Sequence, residues 1–178
     1  MILRKKQIQQ KLVVLANYQS ESAHEILEDC SFVIGGTGRV KNVLNSSGKH
    51  ILSPRLTDGG LSITDFGSEI LYSYRSLPIP TEHHRFSPMV NPGEGLPLVI
   101  IHDDAVEYIL RGRNVFHGFI HSCDPWLTAG QTCLIIQQNG DLVGHGISQC
   151  NADEALRLKK GIAVRTRSDF SKTINATN

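Results

Sequence analysis

The sequence has almost no net charge and no long apolar run. Its eighteen Lys and Arg residues are balanced by seventeen Asp and Glu residues, so binding to nucleic acid would require local clusters of cations. In the opening stretch "MILRKKQIQQKLVVLA", Gln and Lys interrupt an apolar run that is too short for a signal peptide or a membrane span. We therefore expect a cytoplasmic protein without a membrane partner.

The sequence also lacks the patterns of a disulfide framework and of the common catalytic sites. It contains no CxxC pair, no GxSxG or HExxH motif, no Walker-type glycine loop and no GxGxxG after a strand. Because a chain of 178 residues can fold without disulfides, we expect reduced, mostly buried thiols at Cys30, Cys123, Cys133 and Cys150. The residues alone predict neither an enzyme nor a cofactor.

Two histidines and a cysteine of the second half of the chain could be ligands of a metal ion. His117, His121 and Cys123 are evenly spaced in a predicted strand, so they would share one face of it. Zinc usually takes four ligands, and no further ligand stands at a recognised spacing. The other candidates nearby are His102, Asp103, Asp104 and His145. We therefore favour surface or core histidines over a metal and over an enzyme built on these three residues.

Residues 1–76 predict a small α+β domain. Apolar residues at helical spacing, Leu15 among them, indicate one or two helices near the start. Short apolar stretches separated by three glycine-containing turns then predict an antiparallel meander. A helix capped by Thr64 or Asp65 is expected to close this unit.

Residues 77–97 predict a linker. Five of the seven prolines lie there and the stretch has no apolar periodicity, which is typical of a connection between two compact units. His83 and His84 lie within it and are predicted to be solvated. The second domain is then expected at residues 98–170, followed by a tail at 171–178.

The sequence of the second domain predicts five strands and two short helices. The strands are "LVII", "NVFHGFI", "TCLIIQQ", "LVGHGIS" and "IAVRTR", with "NGD" as a hairpin turn. The first helix has an Asp as its N-cap and Gly112 as its stop. The second has a capping box of Asn151 and Glu154, with Gly161 as its stop. We predict an α+β fold in which a small α+β domain precedes a β-barrel-like domain with helices at its openings.

Cations collect in two stretches of this second domain, "RGRNVF" and "KKGIAVRTR". Strand alternation places Arg165 and Arg167 on one face, and Arg111 and Arg113 follow the first helix. Arginine forks match phosphate oxygens, and a glycine lets a backbone approach closely. Cations at a helix end are also favoured by the helix dipole alone. Spacing therefore leaves two interpretations open, an anion-binding surface and a helix end without a ligand. Phe116 and Trp126 are the candidates for stacking on a base, although we expect Phe116 to be buried.

The same stretches, with "DP" and "NGDLVGHG", resemble the PUA domain, a small RNA-binding pseudobarrel, over nearly all of residues 98–167. The resemblance is closest to the PUA domain that ends archaeosine tRNA-guanine transglycosylases. Upstream, "LANYQ", "TGRVKNVL" and "RLTDGGLSITDFGSEIL" resemble the region just before that PUA domain. The resemblance implies an archaeal source and a role at tRNA, because that family exchanges a guanine of the D-loop for a deazaguanine precursor.

The resemblance does not extend to catalysis. The catalytic barrel of the family, with its aspartates and zinc-binding cysteines, has no counterpart here, and "SESA" replaces the glycines and aromatic that commonly follow "YQ". The resemblance therefore implies a non-catalytic tRNA-binding protein with a separate catalytic subunit as partner, and no DNA, metal or cofactor. The alternative is a ribosome-biogenesis or translation-factor module that binds rRNA. The residues expected to contact RNA are Arg111, Gly112, Arg113, Asn114, Phe116, Lys160, Arg165 and Arg167.

Overall fold

The computed structural model describes residues 2–75, 94–168 and 170, which divide into two compact units. The first unit contains residues 2–75 together with Glu94–Leu96, and the second begins at Pro97. Gly95 joins the first unit by donating its backbone N–H to the carbonyl of Asn17 at 2.9 Å. The rest of the predicted linker, with its two histidines, and the predicted tail lie outside the described residues.

The first unit begins with two helices, α1 (Ile2–Ala16) and α2 (Ser20–Ile26). The chain turns between them at Asn17, which has a φ of 58°. Ile8, Leu12 and Ala16 form the buried face of α1. Leu15 also has the helical spacing of Ile8 and Leu12, but its side chain is 38% exposed, because Ala16 occupies the buried position beside it.

The antiparallel meander of the first unit is confirmed. Its four strands pair in the order in which they occur: β1 (Ser31–Ile34), β2 (Val40–Leu44), β3 (His50–Pro54) and β4 (Leu61–Ile63). Helix α3 (Asp65–Ser73) follows, and its N-cap is Thr64, whose side-chain oxygen accepts a hydrogen bond from Gly67 N at 2.9 Å. Gly67 lies against the carbonyl of Ile51 in β3, where a Cβ would overlap that oxygen. Helix and sheet therefore pack at backbone distance.

The second unit is a six-stranded curled sheet that forms a half-barrel with two short helices, which confirms the predicted α+β class. The strands in chain order are β5 (Leu98–Ile101), β6 (Val115–Phe116), β7 (Ile120–Cys123), β8 (Thr132–Gln137), β9 (Leu142–Ser148) and β10 (Ile162–Thr166). They pair in the order β6-β10-β9-β8-β5-β7, and only the β5–β8 pair among them is parallel. The helices are α4 (Val106–Leu110) and α5 (Ala152–Arg157).

The prediction of one strand across "NVFHGFI" is wrong. A 3₁₀ turn at His117–Phe119 divides it into β6 and β7. These two strands lie at opposite ends of the strand order, β6 beside β10 and β7 beside β5. A continuous strand could not pair with both neighbours, so the chain bends between them and the sheet has six strands instead of five.

The caps of the two helices are predicted only in part. The capping box of α5 is confirmed, since Asn151 accepts from Glu154 N at 2.9 Å and Glu154 accepts from Asn151 N at 3.0 Å. The helix ends at Arg157, however, so Gly161, with a φ of 96°, serves the turn into β10 and is not its stop. An Asp N-cap for α4 is also wrong: a 3₁₀ turn at Asp103–Ala105 precedes that helix, and no side chain caps it.

The cysteines are free thiols, as expected. Cys123, Cys133 and Cys150 are buried in the second unit, and Cys30 is half-buried in the first. Burial raises the pKa of the Cys123 thiol to about 12, so it stays protonated at neutral pH. Within the described ranges, no helix has the length and hydropathy of a transmembrane span.

Candidate nucleic-acid interface

The segment after α4 leaves the helix through a glycine turn. Gly112 has a φ of 75°, its N–H bonds to the carbonyl of Ile109 at 2.9 Å, and the N–H of Arg113 bonds to that of Tyr108 at 3.1 Å. This pair of bonds is the Schellman ending of a helix, and a side chain would strain the left-handed backbone at its centre. The prediction that Gly112 ends this helix is confirmed.

The sheet brings that segment alongside the last strand. Val115 in β6 pairs with Val164 in β10, and both side chains are fully buried. One residue earlier, Asn114 Oδ1 accepts a hydrogen bond from the backbone N–H of Thr166 at 3.2 Å. A Cβ on Gly112 would lie 3.2 Å from the carbonyl oxygen of Ser168. The backbone from Gly112 to Asn114 therefore runs beside the C-terminal end of β10.

We call the region on and beside these two strands the β6–β10 surface. It comprises the eight residues that the sequence singles out: Arg111, Gly112, Arg113, Asn114, Phe116, Lys160, Arg165 and Arg167. Gly112 and Asn114 are half-buried, and the other six are exposed. Arg113 lies beside the end of β10 that Arg167 follows, whereas Lys160 precedes the other end of that strand, which is about 13 Å long at the rise of a strand. The cations thus form a row along the strand and not a compact cluster.

The cations of the β6–β10 surface are available to a ligand. Arg111 is 3.7 Å from Glu107, but both side chains are more than 70% exposed, and such surface pairs contribute little. Arg165 donates from Nε to Gln149 at 3.1 Å, which leaves its charge uncompensated. Within residues 94–168, neither Arg113 nor Arg167 has an ion pair. An anion on this surface would displace little more than water.

The expectation that Phe116 is buried is wrong. Its side chain is 45% exposed, because β6 is an edge strand and Phe116 points away from the core that holds Val115. Its ring meets that of Phe119 edge-on at 5.8 Å, and the Phe119 ring stacks against that of Tyr108 at 6.1 Å. Tyr108 is 58% exposed. We call Tyr108, Phe119 and Phe116 the aromatic row.

Tyr108 is a candidate that the sequence pattern did not single out. It lies on the side of α4 away from Ile109, which is fully buried. The signal available in the sequence was an aromatic residue outside the apolar face of the predicted helix. Its contact with Phe119 depends on the 3₁₀ turn and has no sequence signature. Trp126, the other predicted stacking residue, is half-buried in the connection between β7 and β8.

The histidines and the thiol do not form a metal site. His117 lies in the 3₁₀ turn, buried, with Nδ1 3.3 Å from the carbonyl of Ala155. His121 lies on β7 with its ring 5.2 Å from that of His102. The predicted common face is wrong because the turn interrupts the strand on which it depended. Among the residues that the structure describes, no three His, Cys, Asp or Glu side chains converge on a metal position.

Residues 97–170 match the model of the PUA domain family. The second unit is a PUA domain. This module binds RNA in other proteins, and the resemblance stated from the sequence is confirmed. The PUA match begins where the second unit begins.

Over most of its length, the chain is homologous to the C-terminal part of archaeal tRNA-guanine(15) transglycosylases. It is 27% identical to the enzyme of Methanocaldococcus jannaschii over 131 residues, 74% of this chain and 17% of that protein. It is 24% identical to that of Thermococcus onnurineus over 169 residues, 94% of this chain and 26% of that protein. The chain thus spans about a quarter or less of these relatives.

A solved structure shares the fold. The crystal structure of a hypothetical protein from Pyrococcus horikoshii OT3 superposes with a TM-score of 0.66 at 17% identity. The match covers 99% of this chain and 96% of that one. Fold similarity therefore extends across both units, the α+β domain as well as the PUA domain.

Proposed function

We propose that this chain is a non-catalytic tRNA-binding protein whose β6–β10 surface contacts the phosphates and the end of the RNA. The observation that carries the proposal is the pairing of β6 with β10, which brings "RGRN" alongside "RTR" at one exposed edge of the PUA domain. Exposed cations without strong partners gain most from phosphate, because no strong ion pair is lost on binding.

The residues of the surface have distinct proposed roles. The arginine guanidinium groups present planar forks to phosphate oxygens, and Lys160 supplies a point charge at the far end of the row. Gly112 has no side chain to hold a phosphate away from the backbone. Tyr108 and Phe116, the exposed members of the aromatic row, offer their rings to an unpaired base.

Homology across both units supports tRNA as the RNA. A PUA domain alone is compatible with several RNA classes, but the α+β domain aligns with the same transglycosylases as well. We further propose that the catalytic subunit of such an enzyme is a separate polypeptide and that this chain contributes binding to its reaction. Neither unit matches a catalytic motif.

Filter binding tests the choice of RNA. We expect intact tRNA to bind at least about tenfold more tightly than an unstructured RNA of equal length, because paired strands hold several phosphates in register with the row of cations. Equal affinity for the two RNAs would refute the proposal. Co-sedimentation with a ribosomal subunit, without tRNA binding, would favour the rRNA alternative instead.

Truncation of the RNA tests the aromatic row. Tyr108→Ala is expected to weaken binding of tRNA by about 1–3 kcal/mol, the usual contribution of one stacked base. The loss should vanish with tRNA from which the single-stranded 3′ end has been removed. Leu158→Ala is the matched control, since Leu158 is 48% exposed in the same domain but lies outside the row.

A guanine-exchange assay tests the absence of catalysis. The chain alone should incorporate no labelled guanine into tRNA. Incorporation that is lost on mutating His117 or Cys123 would identify an enzyme and contradict the proposal.

A further inference from the structure

The first unit contains an open groove that no part of the RNA-binding proposal uses. It lies between one face of α1 and the turns that follow β1 and β3, with a volume of about 860 Å³. Eight of the fifteen residues of α1 line it. A cleft of this size accepts several side chains at once. We call it the α1 groove.

Exposed aliphatic side chains line the α1 groove. Leu3 is 72% exposed, Val14 69% and Leu56 66%, and Leu15 joins them at 38%. Leu3 and Val14 are eleven positions apart, which is three helical turns and places them on the same face. The core does not need these side chains, because Ile8, Leu12 and Ala16 already form the buried face of α1. Large aliphatic groups gathered in one cleft mark an interaction surface.

The groove is also cationic. The described residues that line it include Arg4, Lys11, Arg39 and Arg55, and a single carboxylate, Asp58. That carboxylate is 2.9 Å from Arg55, so the pair is neutral, and the Lys11 ammonium donates to the carbonyl of Gly59 at 2.5 Å. Within residues 2–75, neither Arg4 nor Arg39 has an ion pair.

The combination of side chains distinguishes between possible occupants. None of the described residues that line the groove is aromatic, and unpaired RNA bases are recognised chiefly by stacking on aromatic side chains. Aliphatic groups beside cations instead complement a protein segment with an apolar face and acidic residues. We propose that the α1 groove binds an acidic amphipathic helix of a partner protein. The lining stretch from Leu3 to Leu15 is about 18 Å long, which equals about three turns of such a helix.

Fluorescence anisotropy with a defined peptide tests this proposal. The probe is a labelled peptide of about four turns, with Leu at helical i, i+4, i+7 and i+11 spacing and Glu on the opposite face. A peptide of the same composition in scrambled order is its control. With the full chain, we expect saturable binding of the amphipathic peptide and at least about tenfold weaker binding of the scrambled one.

Matched variants locate the binding. Val14→Asp, Leu56→Asp and Arg39→Glu should each weaken peptide binding at least about tenfold. Lys6→Glu reverses a charge on the exposed side of α1 outside the groove, and Val33→Asp adds a charge at an exposed apolar residue elsewhere in the first unit. These two should stay within about twofold of the parent chain. Leu56 lies in a turn, so its effect is independent of any loss of helix in α1.

Three results would overturn the proposal. Equal binding of the amphipathic and scrambled peptides would show that the groove does not recognise a helix face. An equal loss of peptide affinity for Lys6→Glu and Arg39→Glu would show that binding depends on the overall charge of the chain and not on the groove. Displacement of the peptide by a single-stranded RNA oligonucleotide, abolished by Arg39→Glu, would assign the groove to nucleic acid. Binding of tRNA by the PUA domain is unaffected by any of these outcomes, so the two proposals fail separately.

Discussion

Replacing Arg113 with Ala should change how steeply tRNA binding depends on salt. Arg113 leads into β6, is exposed, and is positioned near Arg167 by the hydrogen bond from Thr166 to Asn114. Each cation that contacts a phosphate releases condensed counterions, so the logarithm of the affinity falls linearly with the logarithm of the salt concentration. The slope therefore counts contacts, whereas a single affinity value does not.

The structure sets the size of the effect. The β6–β10 surface has five exposed cations, and one phosphate contact for each gives a slope of about −4.5 at about 0.9 per contact on a duplex. Affinity should then fall about 500-fold between about 50 and 200 mM salt. Without Arg113 the slope becomes about −3.6 and the fall about 150-fold. The loss of affinity that Arg113→Ala causes should therefore be about threefold smaller at the higher salt concentration than at the lower one.

Filter binding of one tRNA across a salt series measures both slopes. Lys6→Ala is the matched control, because it removes one exposed positive charge from α1, outside the PUA domain. It should shift affinity slightly and leave the slope unchanged. An unchanged slope for Arg113→Ala, or an equal flattening by Lys6→Ala, would refute the assignment of the β6–β10 surface.

Three further predictions concern stability and thiol chemistry. Gly67→Ala should lower the free energy of unfolding by about 1–3 kcal/mol in urea titrations, because the new Cβ would overlap the carbonyl of Ile51. This loss is expected even though Ala normally favours a helix. Gly36→Ala is the control and should leave the free energy of unfolding unchanged, because the space around Gly36 is open. Asn151→Ala should cost about 1 kcal/mol by the same measurement, and no change would show that the capping box is dispensable. Cys123, with its pKa raised to about 12, should resist iodoacetamide at pH 8 in the native protein and react after denaturation, as mass spectrometry would reveal; rapid native labelling would contradict its burial.

Local rules account for the features that the sequence predicted correctly. Thr64 caps α3, Asn151 and Glu154 form the capping box of α5, and Gly112 ends α4. Each of these depends on atoms no more than five residues apart in the chain, so the residue types are sufficient evidence. The clustering of cations in two stretches is equally local, so the residue types alone indicate the five cations of the proposed interface.

The errors share a different physical cause. Phe116 is exposed because β6 lies at a sheet edge, and the histidines at 117 and 121 diverge because the chain must bend to reach two distant strands. The helical spacing of Leu15 likewise left its environment undecided, and it faces the α1 groove because Ala16 takes the buried position on the helix. Strand order and neighbouring elements decide each case, and neither appears in the periodicity of one segment.

The sequence by itself determined most of the helices and strands, the caps of α3 and α5, the glycine that ends α4, the two cationic stretches and the likeness to a PUA domain. Only the tertiary structure decided that "RGRN" lies beside "RTR", that Tyr108 and Phe119 extend the surface with stacked rings, and that α1 has a second, exposed apolar face. The division follows from the range of the interactions. Turns and caps are set by bonds between near neighbours, whereas surfaces are made by pairing between strands that are about fifty residues apart in the chain.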